Sequence, residues 1–467
     1  MKKLVFFICS LFPFLMANAQ INFSTLNDPL WKNMGATSLP SLLSSDMHKG
    51  EIDPFSMYGG ISNNFLSVNQ LQQFSESGNL SNDYLDHLLL KANNQNVLWV
   101  GADIPVLNIF FNVNKKKHKP FLSFGVGIRE KADFNFNFNK NILSLLYQGN
   151  KQFADQTVNL SPEINFLMYN EIFVSAAAQF TLHNKLDKRK TMILKPAIRL
   201  RYLTGIASLY MPHADIDMFT QAQGKYIDFT SNFEANMSTV IDTPTFKDFS
   251  MQSNSLNFQQ MMKGAGKGFG TDIGATLVVK KNIQIHVALV DIGSIRFTKN
   301  TINYTKDTTY RYEGYKLNTL GESQDSTLSF SDIETWIHPD ISYNAYTMPL
   351  GTKMIWSASY GIHPKVRKKV SYDVHTFFAT YVQGFRNYLS TTKRPALNIG
   401  YNYSFHNAIN TGANITLGGL NKVMGGAHLS LRLGVFKIGL ASNNLLPLLT
   451  TKAGHGSDFN FAMGFYF

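Results

Sequence analysis

The chain has 467 residues, a formal net charge of +12, 13% aromatic and 16% charged residues, and a mean hydropathy of −0.11. After residue 20 no window approaches the roughly 18 uninterrupted apolar residues of a membrane helix, which excludes a helical membrane protein. A β-barrel is left open, because barrels alternate apolar-out with polar-in and keep a near-neutral average.

Lys2 and Lys3 precede an apolar run from Leu4 to Met16, followed by Ala17-Asn18-Ala19. This is the pattern of a secretory signal, so residues 1–19 are expected to be removed after Ala19. The one cysteine, Cys9, lies inside that run. Disulfides, iron–sulfur clusters and cysteine catalysis are therefore excluded from the remainder. The basic balance is better matched to lipopolysaccharide phosphates, acidic glycans or a solvated surface than to nucleic acid, which an exported protein rarely meets.

Residues 20–93 alternate little and read as a lead-in or a plug folded into a lumen, with a short helix over Asn82–Lys91. Residues 94–467 read as a barrel. Val97–Asp103 and Val106–Val113 meet at Pro105, and the basic turn Lys115–Lys119 leads into Phe121–Arg129. There Leu122, Phe124, Val126 and Ile128 share one face against Ser123, Gly125, Gly127 and Arg129, so the small polar side reads as lumen. Asp133–Asn139 alternates Phe with Asn, and Ile142–Tyr147 reads as a loop helix.

Glu171–Leu182 and Thr191–Gly205 form a hairpin about Lys185–Lys190. Ile198, Leu200 and Tyr202 oppose Arg199 and Arg201, and an arginine facing lipid costs about 2–4 kcal/mol at the midplane, so both are expected to face inward. Tyr226–Met237 is a weaker strand and Met251–Met262 is ambiguous. Gly270–Lys281 and Asn282–Phe297 are strong, the latter setting His286 on the inner side. Residues 298–348 suit an outer loop or long protruding strands.

Strands near 351–362, 372–385, 395–405, 411–418, 427–433, 436–443 and 457–467 complete the pattern, with Arg432 on an inner face. Connections alternate short and long, as they do in barrels. In the last strand Phe459, Phe461, Met463, Phe465 and Phe467 share one face. Such a C-terminal aromatic strand resembles the signal read by the barrel-insertion machinery. The fold class expected is an all-β transmembrane antiparallel barrel of about 14 strands, preceded by an N-terminal segment that is either a lead-in or a plug.

Motifs for chemistry are weak. Gly264–Gly270 lacks the four-residue gap before G-K-[ST], so it reads as a flexible turn entering a strand. His183, His286, His363, His375, His406, His428 and His455 are scattered, with no H-x-x-x-H spacing, and no G-x-S-x-G elbow occurs. No catalytic residue, metal ligand or cofactor is predicted. Arg129, Arg199, Arg201, His286 and Arg432 are the lumen-facing candidates. The arginines have two readings: an anion-favouring channel lining, or structural pairing with lumenal carboxylates. The basic turns, Lys365–Lys369 among them, read as solvated, with membrane-phosphate contact as the alternative.

Several stretches together resemble an uncharacterised family of Bacteroidetes outer-membrane barrels. They are Phe121-Leu122-Ser123-Phe124 with Arg129–Asp133 and Gly149-Asn150, then Leu200–Ala207, Gly268–Ala275, Val290–Gly293, Leu433–Ile438 and Ser442–Asn444. That family is similar in build to fatty-acid-transporter-like barrels and to barrel components of the type IX secretion system. The resemblance implies a non-enzymatic protein of a Gram-negative outer membrane, in contact with its lipid and lipopolysaccharide. Two functions stay open: passive transport of a small or hydrophobic solute, and docking with secretion-system or attachment proteins.

Overall fold

The computed structural model describes residues 26, 28–31, 39–45, 49–67, 70, 82–116, 119–182, 192–240, 262–279, 282–313, 339–362, 373–449 and 455–467. Two 3-10 turns, Pro29–Trp31 and Pro40–Ser45, come first. Strand β1 (Gly50–Asn63), helix α1 (Asn82–Lys91), β2 (Asn96–Lys116), β3 (Lys119–Phe138), helix α2 (Lys140–Gln148), β4 (Thr157–Asn159), β5 (Glu163–Ala178), β6 (Phe180–Leu182) and β7 (Met192–Thr220) follow. Then come β8 (Ile227–Thr239), β9 (Gly266–Val279), β10 (Ile283–Phe297), β11 (Ile302–Tyr312), β12 (Asp340–Ser342), β13 (Tyr346–Pro349) and β14 (Lys353–Ile362). The chain ends with β15 (His375–Gly384), β16 (Ala396–Phe405), β17 (Ile409–Gly418), β18 (Val423–Leu433), β19 (Phe436–Ser442), helix α3 (Leu446–Leu449) and β20 (Gly456–Tyr466).

Antiparallel pairing runs β1, β2, β3, β5, β7, β9, β10, β14, β15, β16, β17, β18, β19, β20 and back to β1, a closed barrel of 14 strands. Closure is made by Glu51 opposite Tyr466 through Ser62 opposite Gly456. A closed ring pairs every ladder group and leaves no open edge in its wall, the condition for strands to cross lipid. Among the described residues no helix is long and apolar enough to cross a membrane.

The first strand corrects the sequence-based boundary at residue 94. β1 lies inside the 20–93 segment, yet it is a full member of the wall between β2 and β20. Its pattern is weakened by Asp53-Pro54 and Gly59-Gly60, and a register shift between Ile52 and Phe55 absorbs the proline. Elsewhere the separate strand pieces merge. Val97–Asp103 and Val106–Val113 are one strand with a bulge at Pro105, and Phe121–Arg129 continues into Asp133–Asn139.

Burial alternates along the wall as the side-chain period of a strand requires. In β5, Phe173 is buried while Ile172 and Val174 on either side are exposed. The same holds for Ile399, Ile415, Leu429 and Leu440, which face out. Phe459, Phe465 and Phe467 are exposed on the outer face of β20, with Phe461 and Met463 half-buried beside them.

The two ends of the barrel differ. Where β1 begins and β20 stops, the end called here the terminal end, the chain makes short turns such as Gly434-Val435, with Gly434 at φ 64. The opposite, loop end carries α1, α2, α3 and the accessory strands β4, β8, β11, β12 and β13. Past Gly205 the neighbour of β7 changes from β9 to β8, and β8 pairs in turn with β11, so a small sheet extends from the wall.

Candidate functional site: a plugged and layered lumen

An ionic belt crosses the middle of the lumen. Arg201, almost fully buried, donates from Nη1 to Glu171 Oε2 at 3.2 Å and Asp291 Oδ1 at 2.7 Å, and from Nη2 to Asp272 Oδ1 at 2.7 Å. Arg199 pairs with Asp272 at 3.4 Å and lies 4.9 Å from the centre of the Phe173 ring. Arg129 donates from Nε to Asp103 at 3.1 Å and approaches Glu171 at 3.7 Å. Lys131 and Lys353 both reach Asp291, at 3.8 and 3.1 Å.

Local backbone explains how β10 reaches into this belt. The register of β9 and β10 shifts between Leu289 and Ile292, and Asp291 takes φ 59 within the bulge. Its N–H then donates to Asp272 Oδ1 at 2.7 Å. A non-glycine residue in this region costs on the order of 1 kcal/mol and persists only where its surroundings hold it. Gly293, at φ 153, completes the bend, and a side chain there would overlap the Phe269 carbonyl oxygen.

The described residues 26, 28–31 and 39–45, which precede β1, occupy the lumen at its terminal end. Leu39, Leu42 and Leu43 pack in one apolar layer with Phe110, Phe173, Ala288, Ile355, Val382 and Ala396, contributed by strands around the ring. Burying each leucine contributes about 1.5–3 kcal/mol. Ser41 accepts from Thr276 Oγ1 at 2.6 Å, and the same Thr276 hydroxyl lies 2.6 Å from His286 Nδ1.

Trp31, with no exposed surface, anchors the segment. Its Nε1 donates to Ser430 Oγ at 3.1 Å, and Ser430 donates to Asp28. Tyr466 Oη and Lys437 Nζ both donate to the Leu30 carbonyl, at 2.8 and 3.1 Å. Lys437 also pairs with Glu51, and with Asp53 at 3.4 Å. The space for the indole comes from Gly439, where a methyl group would overlap Trp31 Nε1.

A second apolar layer closes the loop side of the belt. Leu167, Tyr169, Leu203, Ile295, Phe297 and Tyr346 pack there with Tyr388 and Leu389 from the β15–β16 loop. Tyr388 Oη donates to the Pro349 carbonyl at 3.0 Å. The wall of β16, β17 and β18 is of a different kind. Asn398, Ser404, Asn410 and His428 are buried there and carry no charge partner closer than the 3.9 Å from His428 Nε2 to Asp28.

All five lumen candidates lie on the inner side. Arg129, Arg199 and Arg201 meet in one network, whereas His286 belongs to the plug contact and Arg432 stands apart at the terminal rim. Arg432 donates to the Gly434 carbonyl at 3.0 Å and lies 4.9 Å from the centre of the Tyr466 ring. Carboxylates match the belt arginines, so the structural reading of these residues is the one the geometry supports. The sequence reading overlooked the partners Asp103, Glu171, Asp272 and Asp291, and it overlooked Lys437 and Trp31. Their signal was present, since each strand carboxylate sits at an inner position of an alternating strand.

The remaining motifs disperse. His375 Nδ1 lies 2.7 Å from Tyr401 Oη, His406 sits in a turn at φ 51, and His455 Nδ1 lies 3.0 Å from the Leu66 carbonyl oxygen. Gly264, at φ 63, is a turn that leads into β9. His183, His363 and the basic stretches 185–190 and 365–369 lie outside the described residues.

A closed antiparallel ring, apolar outside, with a filled and charged interior, defines an outer-membrane-type β-barrel. The chain belongs to the family described as "Family of unknown function (DUF5723)", whose model matches residues 52–443. A search of curated proteins finds no match. Among solved structures, the chain is similar to the toluene transporter TodX of Pseudomonas putida, with 9% identity over 93% of this chain and 94% of that one and a TM-score of 0.39. It is also similar to the toluene transporter TbuX of Ralstonia pickettii, with 11% identity, coverage of 97% of each chain and a TM-score of 0.38. The translocator domain of the autotransporter NalP from Neisseria meningitidis matches with 8% identity over 93% and 95% of the two chains, at a TM-score of 0.34.

Proposed function

We propose that the protein sits in the outer membrane of a Gram-negative bacterium, after signal-peptide cleavage, and passes a small solute passively when its N-terminal plug is displaced. The reading is carried by the anchoring of Trp31 and Leu30 to Ser430, Lys437 and Tyr466. None of these bonds belongs to the strand ladder. The plug can therefore leave without opening the wall, and the apolar layer around Leu39, Leu42 and Leu43 becomes accessible from the terminal end. No catalytic step and no cofactor enters this reading. The outer face meets lipid and lipopolysaccharide, and the aromatic side of β20 serves as the signal for the barrel-assembly machinery.

The experiment is single-channel recording in planar bilayers, with wild type and Trp31→Ala compared and long-chain fatty acid binding measured on the same samples. Rare or no openings in wild type and steady conductance in Trp31→Ala support the reading. Silence in both, with no saturable binding and no flux of a neutral solute such as glycerol through Trp31→Ala, overturns it.

A second reading, a docking component of a secretion or attachment apparatus, is favoured by the sheet of β7, β8 and β11 that extends from the loop end. It predicts that deletion of residues 227–239 and 302–312, which leaves the ring strands β9 and β10 in place, abolishes co-purification of secretion-system proteins.

A further inference from the structure

We infer that the solute is small, uncharged and hydrogen-bonding, and that it is held against the inner face of β16, β17 and β18. This rests on the transport reading above and names its substrate class. Up to Ser430, these three strands present no charged side chain to the lumen, in contrast to the belt on β3, β5, β7 and β9 across from them.

What they present instead is hydrogen-bonding capacity left unused. Neither side-chain atom of Asn410, neither ring nitrogen of His428, nor Ser404 Oγ has a hydrogen-bond partner, and all three residues are more than nine-tenths buried. Asn398 gives both of its donor contacts to Asn414 and Thr416, at 2.9 and 2.7 Å, and leaves its Oδ1 unpartnered.

The register arranges these groups as a ladder. Ser404 stands opposite Asn410 on the rung nearest the terminal end. Gly412 stands opposite His428 on the next rung, and Asn398 lies two rungs further along. Rungs on one face are about 7 Å apart. At Gly412 a side chain would overlap Asn402 Oδ1 and His428 Cε1, so the glycine makes the room that lets both side chains face the lumen at that rung.

The chemistry selects the solute. Buried polar groups hold their place when a partner satisfies them. An apolar solute would leave the asparagines and the imidazole unsatisfied, whereas an ion would lose its water with no opposite charge on this wall. A polyol or a small amide supplies donors and acceptors together. Asn410, with both kinds on one side chain, matches either.

The test is osmotic swelling of liposomes holding the full chain, with glycerol and erythritol as neutral probes and potassium chloride conductance as the charged probe. Trp31→Ala is the plug-released background, and Asn410→Leu, Ser404→Ala and Gly412→Leu are added singly. Heat-modifiability on gels verifies the folded barrel in each. The expected result is swelling in both polyols that falls toward that of protein-free liposomes in Asn410→Leu and Gly412→Leu, with Ser404→Ala intermediate. Polyol flux unchanged in all three variants means these groups hold fixed water only, and overturns the inference while the transport reading stands. Potassium chloride passing as readily as glycerol overturns it likewise. No flux of any probe through folded Trp31→Ala overturns the transport reading, and the inference falls with it.

Discussion

The Lys437 ammonium lies 3.9 Å from the centre of the Trp31 ring, so a lysine of the next-to-last strand caps an aromatic side chain that precedes the first strand. A desolvated cation over an indole is worth about 2 kcal/mol. The same ammonium neutralises Glu51 and Asp53. One side chain thus holds both the plug and the seam of the ring.

Trp31→Ala is expected to loosen the plug and spare the wall. Removing a buried tryptophan costs about 3–5 kcal/mol, and here that cost falls on the plug contact. Limited proteolysis within residues 20–45 should accelerate, while the heat-modifiable shift of the folded barrel is retained.

Arg201→Met leaves Glu171, Asp272 and Asp291 buried with less compensation. Breaking a buried pair from one side costs about 3–5 kcal/mol, so the thermal midpoint of the gel shift should fall. Adding Asp272→Asn should restore part of the loss, because Asp272 then keeps Arg199, at 3.4 Å, as its one remaining cation. A double variant no more stable than the single one would show that Arg199 is enough to balance Asp272.

Leu429→Arg should impair assembly, measured as the membrane-inserted fraction, by an amount corresponding to about 2–4 kcal/mol near the midplane. Leu429 faces outward and is 47% exposed, so Leu429→Ala should insert normally. Phe461→Arg on the outer side of β20 should behave as Leu429→Arg does. Asn460→Arg is opposed by a different force, since Asn460 points inward and is 3% exposed; packing, not lipid, resists it.

Outside the wall, Arg311 donates to Asp228 from Nε and Nη2 at 2.7 and 2.8 Å. This hydrogen-bonded pairing lowers the Asp228 carboxyl below its ordinary 3.8. A depressed carboxylate adds stability above its unfolded pKa and loses it as pH falls through the folded value. Amide protection factors across β8 and β11, taken relative to the intrinsic exchange rate at each pH, should therefore be flat above about pH 4 and fall only below it. Arg311→Gln should remove that acid limb.

Much of the barrel was legible because its signals are local. Alternation in β5 or β17 follows from lipid on one side and lumen on the other, and Gly434-Val435 announces a tight turn. β1 was missed because Asp53-Pro54 and Gly59-Gly60 interrupt its period, and only its two neighbours make it a strand. The inward side of the arginines follows from the cost of charge in lipid. Their partners do not, because Glu171, Asp272 and Asp291 meet Arg201 through pairings that the strand order creates. The site of Trp31 was hidden for the same reason: Ser430 lies 399 positions away in the chain.

The nearness of Trp31 to β1 constrains how the molecule is made. Gly50 begins the strand that must meet β20, and Lys437 and Tyr466, the residues that grip the plug, lie on β19 and β20 themselves. The first and last parts of the polypeptide are thus joined by two links at one place, a ladder and a latch. A chain still lacking its final strands can form neither. Only a copy with both of those strands in place can be sealed and stoppered together.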